Sequence, residues 1–448
     1  VVASFEKLYE ANGVVGTFPR GFSPSTNFAW QLVRADALVS LNYGKALVEK
    51  NRIPGNVPVY GTNGQCGWHN TELAKGPGVI LGRKGMGPLG VEWCESDFWV
   101  IDTAYYVSSK TPELNLKFFY YLIKYIGLNH LKDGTSNPSL SRDTFYAQLL
   151  PLPPLPEQKA IAHILGTLDD KIELNREMNK TLEAMARAIF KSWFVDFDPV
   201  RAKMEGRQPA GMDAATAELF PDEFEESALG MVPKGWKVIK LGDLIDIKHG
   251  YAFKGEFFRT EPPGDILLTP GNFAIGGGFK DDKFKYYLGE VPEEFVLDQG
   301  DLLVTMTDLS KAGDTLGYPA IIPAPRGSHY LHNQRLGKVI IKSGVSLSKL
   351  HLYYLLCTDA YRHEILASAT GTTVKHTSPD RIKAFDFLFP NNDISLIFGK
   401  FLTPSYNKII LNQEESLSLA SIRDTLLPKL LSGEIRVKEA EKIVETQL

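Results

Sequence analysis

The sequence predicts an α+β fold: two pseudo-repeated mixed α/β domains separated by an antiparallel two-helix coiled coil. Three observations carry this reading. The 448-residue chain contains itself twice, each copy runs through the same order of elements, and each copy closes on a long heptad-patterned stretch.

The duplication is visible residue by residue. Trp30 meets Trp236 at an offset of 206, where Leu38, Val39, Leu41 and Gly44 also meet Leu244, Ile245, Ile247 and Gly250. Tyr120, Tyr121 and Leu122 meet Tyr353, Tyr354 and Leu355 at an offset of 233. The offset then settles at 237, where Gly134 and Thr135 meet Gly371 and Thr372, Ser141 and Asp143 meet Ser378 and Asp380, and Pro153 meets Pro390. Residues 30–193 and 236–430 are thus two copies of one unit. The second carries about 31 extra residues, expected in loops.

Each copy opens with a glycine-rich, strand-forming stretch, such as Gly78-Val79-Ile80-Leu81-Gly82 or Asp301-Leu302-Leu303-Val304-Thr305. A short apolar, Tyr-rich helix follows, around 116–126 and 349–362. Phe118, Phe119, Tyr120 and Tyr121 fall at helical spacing beside Leu122 and Ile123, which marks them as core rather than as base-stacking groups. Next come polar loops, Gly134–Ser141 and Gly371–Pro379, and a Pro-rich strand end.

The last element is a long helix. In the first copy the positions 161, 165, 168, 172, 175, 179, 182, 186, 189 and 193 form a heptad seam, with Asn175 and Asn179 at its centre as a register-setting polar pair. Pro156 before Glu157 is a helix-start pattern. The seam recurs from Phe398 to Leu430, interrupted by Pro404, with Pro428 and Gly433 marking its end. A helix of about 37 residues is about 55 Å long. Two such matched helices are expected to pair antiparallel and to hold two similar domains at opposite ends. The expected boundaries are a first domain over 1–152, a spacer helix over 153–197, a connector over 198–230, a second domain over 231–391, a second spacer helix over 392–432 and a tail over 433–448.

Composition narrows the function. Apolar residues make up 44%, charged 23% and aromatic 11%, which excludes wholesale disorder. No stretch approaches 18 uninterrupted apolar residues, so membrane insertion is not expected. The start, Val1–Ala11, has no basic-then-apolar export layout, and its lack of Met suggests trimming. Three cysteines build no disulfide framework, which points to the cytoplasm. A net charge of −4 leaves nucleic acid open, because local clustering of cations matters more than their sum.

Catalytic signatures are missing. The chain has no phosphate-binding Gly-Lys-Ser/Thr loop, no dinucleotide fingerprint and no Asn/Asp-Pro-Pro-Tyr/Phe run. Gly82-Arg83-Lys84-Gly85-Met86-Gly87 reads as a turn between strands, able at most to touch phosphate. Cys66, His69 and Cys94 lack zinc spacing, so no metal is expected, and the remaining histidines show no nucleophile–base pattern.

One family shares these features. Leu152-Pro153-Pro154-Leu155-Pro156-Glu157-Gln158, then Leu168-Asp169, Lys171-Ile172-Glu173 and Trp193-Phe194-Val195-Asp196-Phe197, resemble the central signature of the type I restriction–modification specificity (S) subunit. Gly235-Trp236, Leu241-Gly242-Asp243 and Gly300-Asp301-Leu302-Leu303 resemble the opening and middle of its target recognition domains. The resemblance covers nearly the whole chain. It departs in the second spacer, where Asn391-Asn392-Asp393 replaces the Pro-rich run, and in the opening Ala29-Trp30-Gln31.

The resemblance implies a DNA-recognition subunit that is non-catalytic by itself. Each domain would read one half of a split double-stranded target. The subunit would carry two modification (methyltransferase) subunits and recruit motor-nuclease restriction subunits. No cofactor is expected here; S-adenosylmethionine would sit on the partner methyltransferase. The competing readings are a self-standing methyltransferase or nuclease, opposed by the missing motifs, and a non-DNA scaffold of duplicated binding domains, opposed by the basic loops and the central signature.

Base and phosphate contacts need Arg, Lys, amides and hydroxyls on loops. In the first domain the candidates are Arg83, Lys84, Lys132, Thr135, Ser136, Asn137, Ser139 and Arg142. In the second they are Lys248, Tyr251, Lys254, Thr370, Thr372, Thr373, Lys375, His376 and Arg381. Phe190, Trp193, Phe194 and Phe197 end the first long helix with more apolar area than a helix pair needs, and are expected to form a partner-binding or inter-domain surface.

Overall fold

The computed structural model describes residues 30–227, 230–325 and 327–447; the expected first domain's residues 1–29 lie outside them. The chain divides into two compact units. One joins the chain up to Arg176 with the chain from Gln413 onward, and the other is Glu177–Asn412. Each long helix therefore gives one half to each unit.

The first unit is built on a four-stranded antiparallel sheet ordered Val39–Tyr43, Ala104–Ser109, Gly78–Gly82, Val91–Cys94. The second repeats it as Ile245–His249, Leu336–Ile341, Leu302–Thr305, Pro319–Ile321. The central strands Gly78–Gly82 and Leu302–Thr305 are buried throughout, as their unbroken apolar runs require. In both copies of the repeat the opening strand pairs antiparallel with the last one before the long helix: Gln31–Arg34 with Leu149–Leu152, and Lys237–Lys240 with Asp386–Phe389.

A smaller sheet flanks each main one. In the first unit it is Gly64–His69, Val57–Gly61 and Trp99–Val100. In the second it has five strands, Phe258–Arg259, Lys285–Tyr287, Asp265–Leu267, Tyr330–Leu331 and Val296–Leu297. Strand Val296–Leu297, paired antiparallel with Tyr330–Leu331, stands where the first copy has only the bridge Ala74–Phe98.

Gly44 and Gly250, matched in the sequence, sit at the same place. A Cβ on Gly44 would lie 2.1 Å from the Ile101 carbonyl oxygen, and one on Gly250 would lie 2.2 Å from that of Asn333. Gly44→Ala and Gly250→Ala should each destabilise their unit by about 2 kcal/mol or more, because backbone rather than a flexible side chain must move. Denaturant titration checks this, and an unchanged midpoint would show that the strand ends can yield.

The helix Leu116–Ile126 buries Phe118, Phe119, Tyr120 and Tyr121, and Asn115 caps it by accepting from Phe118 N at 2.8 Å. Its counterpart is two helices, Lys349–Leu355 and Asp359–Ala367, rather than the expected single one. The break falls where the Thr358 hydroxyl caps a new start, accepting from Tyr361 N at 3.3 Å.

The long helices are Leu155–Phe194 and Asn392–Leu431, 40 residues each. Their halves run antiparallel within each unit. In the first, Asn175 Nδ2 donates to Glu415 at 2.8 Å and to Ser416 at 3.3 Å, and Arg423 pairs with Asp169 at 2.5 Å. In the second, Asn412 Nδ2 donates to Asn179 Oδ1 at 2.8 Å. Asn175 with Ser416 and Asn412 with Asn179 are equivalent pairs at the 237 offset, so each unit holds one copy of the same polar contact. Pro404 does not interrupt the second helix, whose Thr403 hydroxyl donates back to Gly399 O at 2.8 Å.

The central signature has a structural role. Gln158 is fully buried; its side chain accepts from Asn115 N at 2.8 Å and donates to Glu113 O and Pro153 O at 2.9 and 2.8 Å. Glu157 accepts from Trp30 Nε1 at 3.1 Å. In the second copy Ile394 and Ser395 replace these two residues; both are fully buried, whereas Glu157 is half-buried.

The described residues of the connector form regular elements. They include helices Asp198–Met204 and Ala214–Glu218 and the ladder Phe224–Ser227 with Gly230–Pro233, and Val200 and Phe220 enter the second unit's core. The expected tail contains the helix Val437–Gln447, whose Ala440 is buried in the first unit.

Candidate nucleic-acid interface

In the first unit the turn after strand Gly78–Gly82 meets the loop 132–142. Lys84 and Ser139 form a β-bridge, Leu140 N donates to Arg83 O at 2.7 Å, and Gly85 N donates to Pro138 O at 3.0 Å. In the second unit the turn after Leu302–Thr305 meets the loop 369–377. Thr307–Asp308 pairs with Lys375–His376, and Thr377 N donates to Met306 O at 3.0 Å. Ser139 and His376 correspond at the 237 offset, as do the inner pairs Asp133–Ser139 and Thr370–His376. One backbone frame therefore carries both loops.

The side chains on the frames differ. Arg83 donates to Asp102 O at 2.7 Å and lies over the Tyr43 ring at 4.8 Å, while Lys84 pairs with the Asp102 carboxylate at 3.0 Å. Lys132 Nζ donates to Gly87 O at 2.9 Å and Gly85 O at 3.3 Å. Lys132 thus ties the two loops together, while Arg83 and Lys84 fasten the turn to Asp102. Arg142 is exposed, stacks on Tyr43 at 4.5 Å and has no carboxylate partner among the described residues. Thr135, Ser136 and Asn137 are exposed at the loop tip, and Ser139 is half-buried.

In the second unit Thr370, Thr372, Thr373 and His376 are exposed, while Lys375 and Arg381 are half-buried. Arg381 donates to Thr370 Oγ1 at 3.3 Å, and His376 Nδ1 lies 3.2 Å from Thr307 Oγ1. Lys248, Tyr251 and Lys254 are not part of this loop pair. Lys248 pairs with Glu294 at 2.7 Å and lies 4.7 Å from the Phe295 ring centre. Tyr251 belongs to an aromatic cluster with Phe253 and Phe295, and Lys254 is exposed.

Sequence reading missed the residues that hold these loops: Tyr43, Asp102, Thr307 and Asp308. Burial resists the charge of Asp308, yet hydrogen bonds from Thr315 and Ser310 outweigh it and hold the carboxyl below its ordinary range. No local motif marks Tyr43, Asp102 or Thr307, because their partners are distant in sequence.

The expectation for the aromatic helix end is corrected. Phe190, Trp193 and Phe194 are buried in the second unit's core, against Phe220, Tyr354 and Phe398, and only Phe197 is half-buried, against Trp236 and Phe224. The surplus apolar area is taken up by the unit's own helix Lys349–Leu355 and by the connector, so Phe190, Trp193 and Phe194 offer no partner surface.

Each unit thus carries its pair of polar loops together with one half of each long helix. The chain belongs to the type I restriction modification DNA specificity domain family, which matches residues 29–184 and 233–420. It is 28% identical over 338 residues to the type I restriction enzyme MjaIX specificity subunit of Methanocaldococcus jannaschii, covering 72% of this chain and 70% of that one. It is 27% identical over 397 residues to the HindI specificity subunit of Haemophilus influenzae, covering 76% and 82%. The fold resembles that of the type I restriction–modification S subunit from M. genitalium, with TM-score 0.57, 16% identity and coverage of 92% and 99%. The chain is a non-catalytic DNA-specificity subunit that acts in a complex with other subunits and DNA. Among the described residues no helix is long and apolar enough to cross a membrane.

Proposed function

We propose that each unit reads one half of a bipartite duplex target through its pair of braced loops. The supporting observation is the backbone frame common to Lys84–Ser139 and Thr307–His376, which carries different side chains in the two units. A common frame with different polar groups suits two docking events of one geometry and two base sequences. Arg142, Thr135, Ser136 and Asn137 supply contacts in the first domain. Thr372, Thr373, His376 and Arg381 supply them in the second.

The long helices set the distance between the half-sites and dock two methyltransferase subunits, which bring S-adenosylmethionine. Their exposed charged positions, such as Arg176 and Lys408, are available to these partners. Motor-nuclease subunits complete the assembly in the cytoplasm. With a net charge of −4, the isolated subunit should bind DNA weakly and with strong salt dependence.

Co-expression with a cognate methyltransferase subunit, followed by mapping of methyladenine, tests the reading. The expected result is a split motif, and exchange of residues 231–391 for those of a relative should replace one half of it and leave the other intact. A stable complex that leaves all adenines unmodified would overturn the proposal.

A further inference from the structure

Two exposed apolar side chains occupy the same place in the two units. Met86 is 74% exposed and Leu309 is 66% exposed. Single exposed apolar residues are ordinary; the equivalence of these two is not. Lys84 bridges to Ser139 and Thr307 pairs with His376, and these partners correspond between the copies. Met86 and Leu309 each lie two residues beyond that bridge.

Both tips are braced. The Lys132 ammonium holds the carbonyls of Gly85 and Gly87 on either side of Met86. The Asp308 carboxylate holds Ser310 N at 2.6 Å and Thr315 Oγ1 at 2.6 Å around Leu309. Cations stand close by, Lys84 and Lys132 at the first tip and Lys375 at the second. The polar groups of the frames do not match: Arg83, Lys84 and Arg142 stand where the second copy has Met306, Thr307 and Pro379. What the copies share is an apolar tip on a rigid, cation-flanked turn. A feature common to two readers of different sequences does work that both half-sites need, so it does not encode bases.

We infer that Met86 and Leu309 are paired apolar wedges that press against the base stack of duplex DNA in each half-site, independently of sequence. Unbranched or γ-branched apolar side chains on protruding elements are suited to partial unstacking of a base step. The inference rests on the reading of the two units as DNA readers.

The test uses the full chain in complex with its methyltransferase subunit, with Met86→Ser, Leu309→Ser and the double variant. Each single change should weaken binding to cognate and non-cognate duplexes alike by about tenfold, the scale of a lost apolar contact of this size. The salt slope should stay that of the parent, since no phosphate contact is lost. The methylated motif should be unchanged, and Met86→Leu and Leu309→Met should restore affinity. Thermal midpoints equal to the parent's check that the exposed substitutions leave folding intact. Altered preference at one base position, or parental affinity in the double variant, would overturn the inference. A parent complex that gives no split motif would instead sink the underlying reading of the units.

Discussion

Trp193→Ala and Phe194→Ala should each destabilise the second unit by about 3–5 kcal/mol, the cost of deleting a large buried ring. Trp193 lies edge-on to Phe220 at 5.3 Å and to Phe398 at 5.6 Å. Phe194 packs on His351 at 4.5 Å and Phe398 at 5.0 Å. These rings join four segments distant in sequence: the first long helix, the connector, the helix Lys349–Leu355 and the start of the second long helix. Neither substitution leaves a smaller group able to fill the space. Denaturant unfolding of the full chain should show an earlier transition in both variants. Unchanged unfolding together with lost capture of a methyltransferase subunit would return these residues to a partner surface.

The second unit should also lose stability in mild acid. His351 is buried among Phe190, Phe194, Phe389 and Phe398, and burial pushes its pKa down to about 3. His332 is buried as well, and desolvation, despite the hydrogen bond at Leu336 O, lowers it to about 4. Lys338 and Lys248 near His332 act in the same direction, and Asp301 opposes them. Both folded-state pKa values lie below the unfolded value near 6.5, so the unfolded chain binds more protons at acid pH. Stability is therefore full above about pH 6.5, falls as the pH drops toward 4 and levels off below the folded values. At pH 5 the loss should be about 2 kcal/mol from each histidine. Thermal or denaturant midpoints between pH 7 and 5 measure it. His351→Phe should remove about half of the acid dependence. A variant as acid-sensitive as the parent would place the titration elsewhere.

The two copies also diverge in how they fasten to the long helices. Tyr121 donates to Asp169 at 2.7 Å in the first unit, while in the second both Tyr353 and Tyr354 donate to Glu183, at 3.1 and 3.0 Å. Asp169 and Glu183 lie on the same long helix but are not equivalent positions. Similar tyrosines have thus found different carboxylates. The same freedom explains why the second spacer can lack the Pro-Glu-Gln signature. Ile394 and Ser395 fill the space of Glu157 and Gln158 with apolar packing and one contact, in which Ser348 N donates to Ser395 Oγ at 3.3 Å.

The sequence by itself determined the duplication, the two central strands Gly78–Gly82 and Leu302–Thr305, the Tyr-rich core helix, the two long helices and their polar seam pair. All of these rest on local periodicity or on an offset between copies, which survive without coordinates. It also carried the family, through the run from Leu152 to Gln158. Tertiary structure alone decided which loop residues face solvent and which are spent as struts. Lys84 and Lys132 read as free cations in the sequence, yet they answer to Asp102 and to the Gly85 and Gly87 carbonyls, residues 18 to 47 positions away. The aromatic run ending the first helix is likewise apolar in any context, but whether it meets a partner or its own domain depends on what the fold lays over it. Apolar area and charge are read from residues one at a time, whereas burial and pairing are properties of distant segments brought together.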